Sequence, residues 1–212
     1  LHLCSENGKI VSVCTDGHRL AKYESQAKID DDLSVIIPRK AILEINRILN
    51  SFDDNKENLV KYSYNSMNFH VELNDYKITT KLIEGNYPNF NKVIPESTSS
   101  EIIVDKITLK NSLNIISKVV NQQYKGVKLT PNNNTMHLIS SNTDSEIGED
   151  QIDVEYTGDE MSIGFNISYL QDVIETLEGD TVHIRINDQN SGCVLQDNLD
   201  VNSTFVIMPM RV

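Results

Sequence analysis

The sequence predicts an α+β protein assembled from repeated β-α-β-β-β units in which antiparallel strands dominate. Three observations carry that expectation. Most of the chain alternates apolar and polar residues with the period of two that a half-buried strand requires. Three segments switch to the helical period of 3.6. Each of those helices follows one short strand and precedes several more, so the order of elements recurs along the chain.

The strands are punctuated by turn residues. Lys9–Cys14 and His18–Glu24 flank Thr15-Asp16-Gly17, where Asp and Gly suit a tight turn. Leu59–Tyr64, Met67–Leu73 and Tyr76–Ile83 read as a meander with turns at Asn65-Ser66 and Asn74-Asp75. Val127–Thr130 and Met136–Ser140 flank Pro131-Asn132-Asn133-Asn134. Further strand patterns follow at Gln151–Tyr156, Thr181–Asn187, Gly192–Gln196 and Ser203–Met208.

The helices are amphipathic. In Arg39–Asn50, Ile42, Ile45, Ile48 and Leu49 share one face and Lys40, Glu44 and Arg47 the other, with Pro38 just before the start. In Lys106–Asn121 the apolar stripe is Leu109, Leu113, Ile116 and Val120, opposite Lys110, Asn114, Ser117, Lys118 and Asn121. In Asn166–Glu178 it is Ile167, Leu170, Val173, Ile174 and Leu177, with Gly179 in the place of a C′ glycine. The short strands Val35–Ile37, Ile102–Val104 and Met161–Gly164 open the three repeats. Pro95 and a Ser/Thr run interrupt the pattern between Asn91 and Ser100, which places a boundary there and divides the chain into residues 1–92 and 93–212. The first residue is Leu rather than Met and falls inside a strand pattern, so the sequence reads as part of a longer chain.

Composition narrows the class. The 212 residues are 39% hydrophobic and 24% charged, an ordinary globular balance that excludes disorder, collagen and coiled coil. The net charge of −12 argues against a protein that grips nucleic acid over its whole surface. Its distribution is uneven: residues 1–100 hold 12 bases and 14 acids, residues 101–212 only 7 bases against 17 acids. No apolar run is long enough for a bilayer and no basic-then-apolar leader opens the sequence. With three widely spaced cysteines (Cys4, Cys14, Cys193), reduced thiols in the cytoplasm are expected.

Catalytic motifs are missing: there is no nucleophile elbow, phosphate loop, H-E-x-x-H or dinucleotide fingerprint. His2, Cys4, Cys14 and His18 are residue types that zinc accepts, but their spacing fits strand and turn positions better, with Cys14 a small core residue. Asp144, Glu146, Glu149, Asp150 and Asp153 lack the order of a calcium loop and read as a solvated acidic face. An acid/base pairing of Asp16 with His18 has no nucleophile or ligand beside it. The expectation is no metal, no cofactor and no catalysis.

Six motifs in order carry a resemblance: T-D-G-H-R-L-A, V-I-I-P-R-K, N-Y-P-N-F-N-K-V-I-P, K-G-V-K-L, I-G-F-N-I-S-Y-L-Q-D-V and the closing V-I-M-P-M-R-V. Together they resemble the bacterial DNA polymerase III β subunit, the sliding clamp. The resemblance implies the DNA clamp fold, with helices lining the inner face and antiparallel sheets outside, and most of a middle domain followed by a C-terminal domain. It implies a non-catalytic replication processivity factor that encircles double-stranded DNA without reading sequence. DNA polymerase and clamp-loader subunits, with repair proteins, would bind it through linear motifs. The full-length protein would be a homodimeric ring, which this fragment is not expected to close, and it would have no membrane partner.

Matched position by position, the family's peptide pocket implies Thr15, Gly17, His18, Arg19 and Leu20, then Pro88, Lys92 and Val93, then Tyr124, Asn166 and Tyr169, and finally Val206, Ile207, Met208, Pro209, Met210 and Arg211. The family carries Arg where Lys92 stands and Phe or a similar aromatic where Tyr124 stands. Apolar walls would take a peptide's Leu or Phe and the polar rim would fix its backbone. Arg39, Lys40, Arg47, Lys110 and Lys118 would face DNA phosphates, whereas Asp172, Glu175 and Glu178 on the third helix would repel them. The competing reading is a protein-interaction module of the same fold that does not encircle DNA.

Overall fold

The computed structural model describes residues 1–29, 32–52, 59–121 and 123–212. They form two compact units: Leu1–Cys14 with Tyr23–Asn89, and Thr15–Lys22 with Phe90–Val212.

The first unit opens with a strand that the turn pattern did not resolve. β1 (His2–Glu6) turns at Asn7-Gly8 into β2 (Lys9–Thr15), followed by β3 (Arg19–Lys28), of which Tyr23–Lys28 belongs to this unit, and the short β4 (Ser34–Ile36). β1 lies between β2 and β4, antiparallel to both. Helix α1 (Arg39–Leu49) begins after Pro38 and buries Ala41 and Ile48, with Ile42 and Ile45 half-buried. Leu49, expected on the core face, is exposed: at 100° per residue it falls on the flank of the face that Ala41, Ile45 and Ile48 turn to the core. The meander β5 (Val60–Tyr64), β6 (Asn68–Leu73) and β7 (Tyr76–Lys81) forms a second sheet with β6 in the centre. Asn65 organises its first turn by accepting the Met67 and Asn68 N–H groups at 2.9 and 2.8 Å. Leu33, Val35, Ile37, Phe69, Val71 and Leu73 make the core beneath α1.

The second unit contains two complete repeats. β8 (Ser100–Asp105) leads into α2 (Lys106–Ile116), then β9 (Gly126–Asn132), β10 (Thr135–Ser141), β11 (Ile147–Asp153) and β12 (Glu155–Thr157). β13 (Ile163–Asn166) leads into α3 (Ile167–Thr176), then β14 (Thr181–Ile186), β15 (Cys193–Asp197) and β16 (Ser203–Ile207). The sheets are not the two meanders taken separately. β13 pairs with β9, giving the order β11-β10-β9-β13, and β8 pairs with β14, giving β12-β8-β14-β15-β16. Each repeat therefore contributes its leading strand to the other repeat's sheet. The helices meet where Gln171 Nε2 donates to Asn114 Oδ1 at 2.9 Å. Leu109, Leu113 and Ile116 of α2 and Ile167, Leu170 and Ile174 of α3 close a single core with both sheets.

Two helix ends differ from expectation. α2 stops at Ile116 rather than Asn121. Lys118 N bonds Ile115 O and Val119 N bonds Ile116 O, a tightened turn, and Asn121 Oδ1 then accepts the Gln123 and Tyr124 N–H groups. The β-branched pair Val119-Val120 followed by Asn favours this exit over further helix. Val120 stays buried, so the apolar stripe continues beyond the helix itself. α3 stops at Thr176, and its C-cap Leu177 is extended rather than left-handed. Gly179 is not a C′ glycine: among the glycines with positive φ it does not figure. Its small size serves a close approach instead, since a Cβ there would lie 2.6 Å from Asn198 Oδ1 and 3.1 Å from Asp197 Cβ.

Asp197 is the reason for that approach. Buried at the end of β15, its Oδ2 accepts the Glu178 and Gly179 N–H groups at 2.8 and 3.0 Å, and its Oδ1 those of Leu199 and Asp200 at 2.9 and 2.6 Å. Burial pushes its pKa upward, but the four N–H donors outweigh that and hold it below the usual carboxylate range. The carboxylate joins the exit of α3 to the β15–β16 turn. Asp197→Ala is expected to lower the unfolding free energy by about 2–3 kcal/mol near neutral pH in urea titrations, by leaving these donors without their acceptor. The native pKa is the lower one, so this contribution is present above the ordinary carboxylate range and is lost as pH falls through the native value. The gap between protein and variant should accordingly close on acidification.

Candidate functional site

Of the seventeen residues expected to line a peptide pocket, sixteen belong to the second unit; Pro88 belongs to the first and is exposed. The β2–β3 loop is internally braced. Thr15 Oγ1 donates to Arg19 O at 2.8 Å and accepts the Gly17 N–H at 3.1 Å. Asp16 Oδ1 accepts the His18 and Arg19 N–H groups, each at 3.0 Å. Gly17 sits at φ 87°, a backbone region that side-chain-bearing residues rarely adopt. Burial raises the Asp16 pKa, but the two backbone donors and the Arg19 guanidinium bring it below the usual range. Asp16 is thus a structural acceptor for the loop backbone and for Arg19, and not the partner of a His18 imidazole in acid/base chemistry.

Arg19 anchors the loop. Its Nε donates to Asp16 Oδ2 at 3.1 Å and its Nη1 to Asp172 Oδ2 on α3, while the guanidinium carbon stands 4.4 Å from the Tyr169 ring centroid. The planar cation is held by two carboxylates and an aromatic face, a combination that an ammonium could not reproduce. Asn166, also expected at the site, caps α3 by accepting the Ser168 N–H at 3.0 Å.

The closing segment runs past this loop. Met208 N donates to His18 O and Met210 N to Gly164 O, both at 2.8 Å, with Pro209 between them. Leu20, Val206 and Ile207 are buried, Met208, Pro209 and Met210 half-buried, and Val93 and Tyr124 exposed. Lys92, His18 and Arg211 lie on the solvent side. Gly192 was not anticipated from the sequence. A Cβ there would fall 2.7 Å from Val206 Cγ1, 3.1 Å from Val93 O and 3.4 Å from Met208 Sδ, so this glycine lets three expected wall residues approach one point. An isolated glycine opening a strand was the available signal. Beyond Met210 a hollow of about 350 Å³ is bordered by Tyr124, Asn142, Arg211 and Val212.

The basic helix faces are partly neutralised within the chain. Arg39 and Lys40 are exposed in the first turn of α1, whereas Arg47 makes two bonds to Glu44, at 2.6 and 3.1 Å. Lys110 lies 3.8 Å from Glu175, and Lys118 stands beyond the end of α2 rather than on it. Asp172 and Glu175 therefore face cations of their own unit. Cys14, read as a small core residue, is exposed, and none of the three cysteines forms a disulfide. Among the described residues no group of three or more His, Cys, Asp or Glu side chains is arranged to hold a metal, and no helix is long and apolar enough to cross a membrane.

Residues 1–89 match the family described as "DNA polymerase III beta subunit, central domain", and residues 91–211 the one described as "DNA polymerase III beta subunit, C-terminal domain". The chain belongs to the DNA polymerase III beta subunit family. It is 33% identical over 211 residues to the beta sliding clamp of Proteus mirabilis, covering 98% of this chain and 56% of that protein. Against the clamp of Escherichia coli (strain K12) the identity is 31% over 211 residues, with the same coverage. A crystal structure of the DNA polymerase sliding clamp from Pseudomonas aeruginosa superposes with a TM-score of 0.93 at 30% identity, covering all of this chain and 57% of that one. The DnaN sliding clamp of Bartonella birtlesii, solved bound to griselimycin, gives 0.92 at 31% identity, covering all of this chain and 57% of that one. The chain thus spans a little over half the length of the relatives it matches, and its mixed α+β architecture is that of the beta clamps.

The contact between Arg19 and Asp172 joins residues far apart in sequence and is testable by itself. In a double-mutant cycle with Arg19→Ala and Asp172→Ala, a coupling of about 0.5 kcal/mol is expected from urea unfolding, modest because both side chains reach solvent. Additive effects would show that the pair contributes nothing.

Proposed function

We propose that residues 1–212 are the central and C-terminal parts of a sliding-clamp subunit, divided near residue 92, whose role is to hold a replicative polymerase on DNA rather than to catalyse a reaction. The surface around Arg19, Tyr169, Met208 and Met210 would receive short linear motifs of polymerase and clamp-loader subunits. What supports this most directly is the pairing of Met208 N with His18 O, which brings the adaptable methionine side chains of the closing segment beside the braced loop. Leu20, Val206 and Ile207 make an apolar floor for a leucine or phenylalanine of the peptide, and His18, Asn166 and Arg211 offer hydrogen-bond partners for its backbone. Arg39 and Lys40, exposed on α1, would meet phosphates of encircled duplex without reading bases.

The experiment is a titration of the chain with a labelled peptide from a replicative polymerase tail, followed by fluorescence anisotropy. Met208→Ala combined with Met210→Ala should weaken binding at least tenfold, with an unchanged far-UV spectrum as the folding control. Griselimycin, bound in the solved Bartonella clamp, serves as a competitor. Unchanged affinity in the double variant would refute the assignment. Encirclement is tested on the full-length protein: retention on nicked circular DNA that is lost on linearisation supports a ring, and retention that survives linearisation, or none, favours an interaction module.

A further inference from the structure

In the motif I-G-F-N-I-S-Y, Ile163, Phe165 and Ile167 are buried in the core, Asn166 caps α3 and Tyr169 lies beneath Arg19. Gly164 serves none of these ends. An isolated glycine weakens a strand, because it frees the unfolded backbone and brings no side chain to pack. Its φ is outside the left-handed region, so the backbone there is one that any residue adopts. The need for glycine in β13 is therefore spatial.

Backbone takes that space. A Cβ on Gly164 would lie 2.3 Å from Met210 O, 2.5 Å from Val212 Cγ2 and 3.2 Å from Val212 Cβ. At Gly148, Gly158, Gly179 and Gly192, where a Cβ would also meet an atom within 3 Å, the nearest atom belongs to a side chain. A side chain can swing aside, but the Met210 carbonyl moves only with the chain around it. That chain is tied down, since Met210 N donates to Gly164 O at 2.8 Å. β13 ends its sheet, and the closing segment occupies the edge that β9 leaves open. Gly126, opposite Asn166 on β9, differs: the three atoms nearest a Cβ there are all in the Val212 side chain, at 3.0, 3.1 and 3.6 Å.

We propose that Gly164 is a positioning residue of the peptide surface: by carrying no side chain it lets Met210 lie on the edge of β13, which sets where the Met210 thioether stands. Met208 is placed differently, through its N–H on His18 O, and Pro209 between them has no N–H to give. The two methionines thus have separate anchors, one on the β2–β3 loop and one on β13. Gly164 acts on a bound peptide through Met210 alone. The placement of Met210 follows from the fold; its effect on affinity rests on the peptide reading above.

Amide exchange and peptide affinity are measured on the same variants, with far-UV spectra as the folding control. By NMR, Gly164→Ala should speed exchange of the Met210 amide about tenfold and leave the Met208 amide within about twofold. Gly126→Ala should leave both within about twofold, because the exposed Val212 side chain turns away. With the labelled polymerase-tail peptide, Gly164→Ala should weaken binding about fivefold, and about fivefold again in a Met208→Ala background. In a Met210→Ala background the further loss should stay below about twofold, since the group it places is gone. Equal loss in both backgrounds would mark a general loosening of the unit and overturn the proposal. Unchanged Met210 exchange in Gly164→Ala overturns it as well, whether or not the peptide binds. If the unmodified chain does not bind, the peptide reading fails and the exchange result alone decides the placement. Should Gly164→Ala not fold, a chain ligated at Cys193 with an ester in place of the Met210 N–H keeps both side chains. A shifted Met210 methyl resonance is then expected, and an unshifted one overturns the proposal.

Discussion

Ile184 pairs with Ile102 and Phe165 with Val127, so in the second unit the strand that opens each repeat is hydrogen-bonded into the other repeat's sheet. The remaining features of the unit depend on that exchange. A β-α-β-β-β unit folded on itself would leave one sheet face covered by a single helix and both sheet edges open. Exchanging leading strands fixes α2 and α3 side by side, because each helix starts where its own strand leaves the sister's sheet. The two helices then seal one core that neither repeat could close alone. N-capping supports the same geometry: Asp105 and Asn166 are each the last residue of a leading strand and the cap of the helix that follows.

The site inherits its stiffness from this frame. Asp172, which holds Arg19, projects from α3, and Gly164, which receives Met210, lies on the exchanged strand β13. The braced loop and the closing segment are therefore both referred to the same strand–helix element. Neither is a free surface loop, even though the loop's own bonds are mostly solvent-exposed. A methionine-lined surface tolerates varied ligands only if its frame is fixed, and here backbone hydrogen bonds pin Met208 and Met210 to the loop and to β13.

Local rules made most elements legible in the sequence. Asn- and Gly-containing turns located the hairpins, and period-3.6 stripes located the helices, because both depend on residues within one or two turns of each other. The motif T-D-G-H-R-L marked the loop that holds five of the seventeen residues expected at the pocket. What stayed hidden depends on distant partners. The exchange of β8 and β13 pairs residues 34 to 86 positions apart, from Ile163↔Leu129 to Ile186↔Ser100, and alternation is equally satisfied whichever sheet a strand joins. Gly179 carries the local mark of a helix terminator, yet its role is set by Asp197, eighteen residues later. Gly192 matters because of Val93 and Val206 around it. Leu49 lies at the flank of the predicted stripe, and periodicity along a helix does not reveal how wide a face the sheets cover.

The acidic balance takes on a different meaning once its contacts are known. A charge of −12 with most acids in residues 101–212 suggests repulsion of any polyanion, and α3, which carries no Lys or Arg, was the sharpest case. Asp172 is engaged with Arg19, and Glu175 stands near Lys110, so two of the three acids in question offset cations of their own unit. Pairing works in both directions, since Arg47 is likewise engaged by Glu44 and Lys110 by Glu175. The helix surfaces consequently present less charge of either sign than a residue count implies. Under the clamp role proposed above, a surface past which DNA slides would need that condition, because each strong, unscreened phosphate contact would add affinity and friction together. On that proposal, weakly balanced helix faces would suit retention by enclosure, with topology rather than charge keeping a duplex in place.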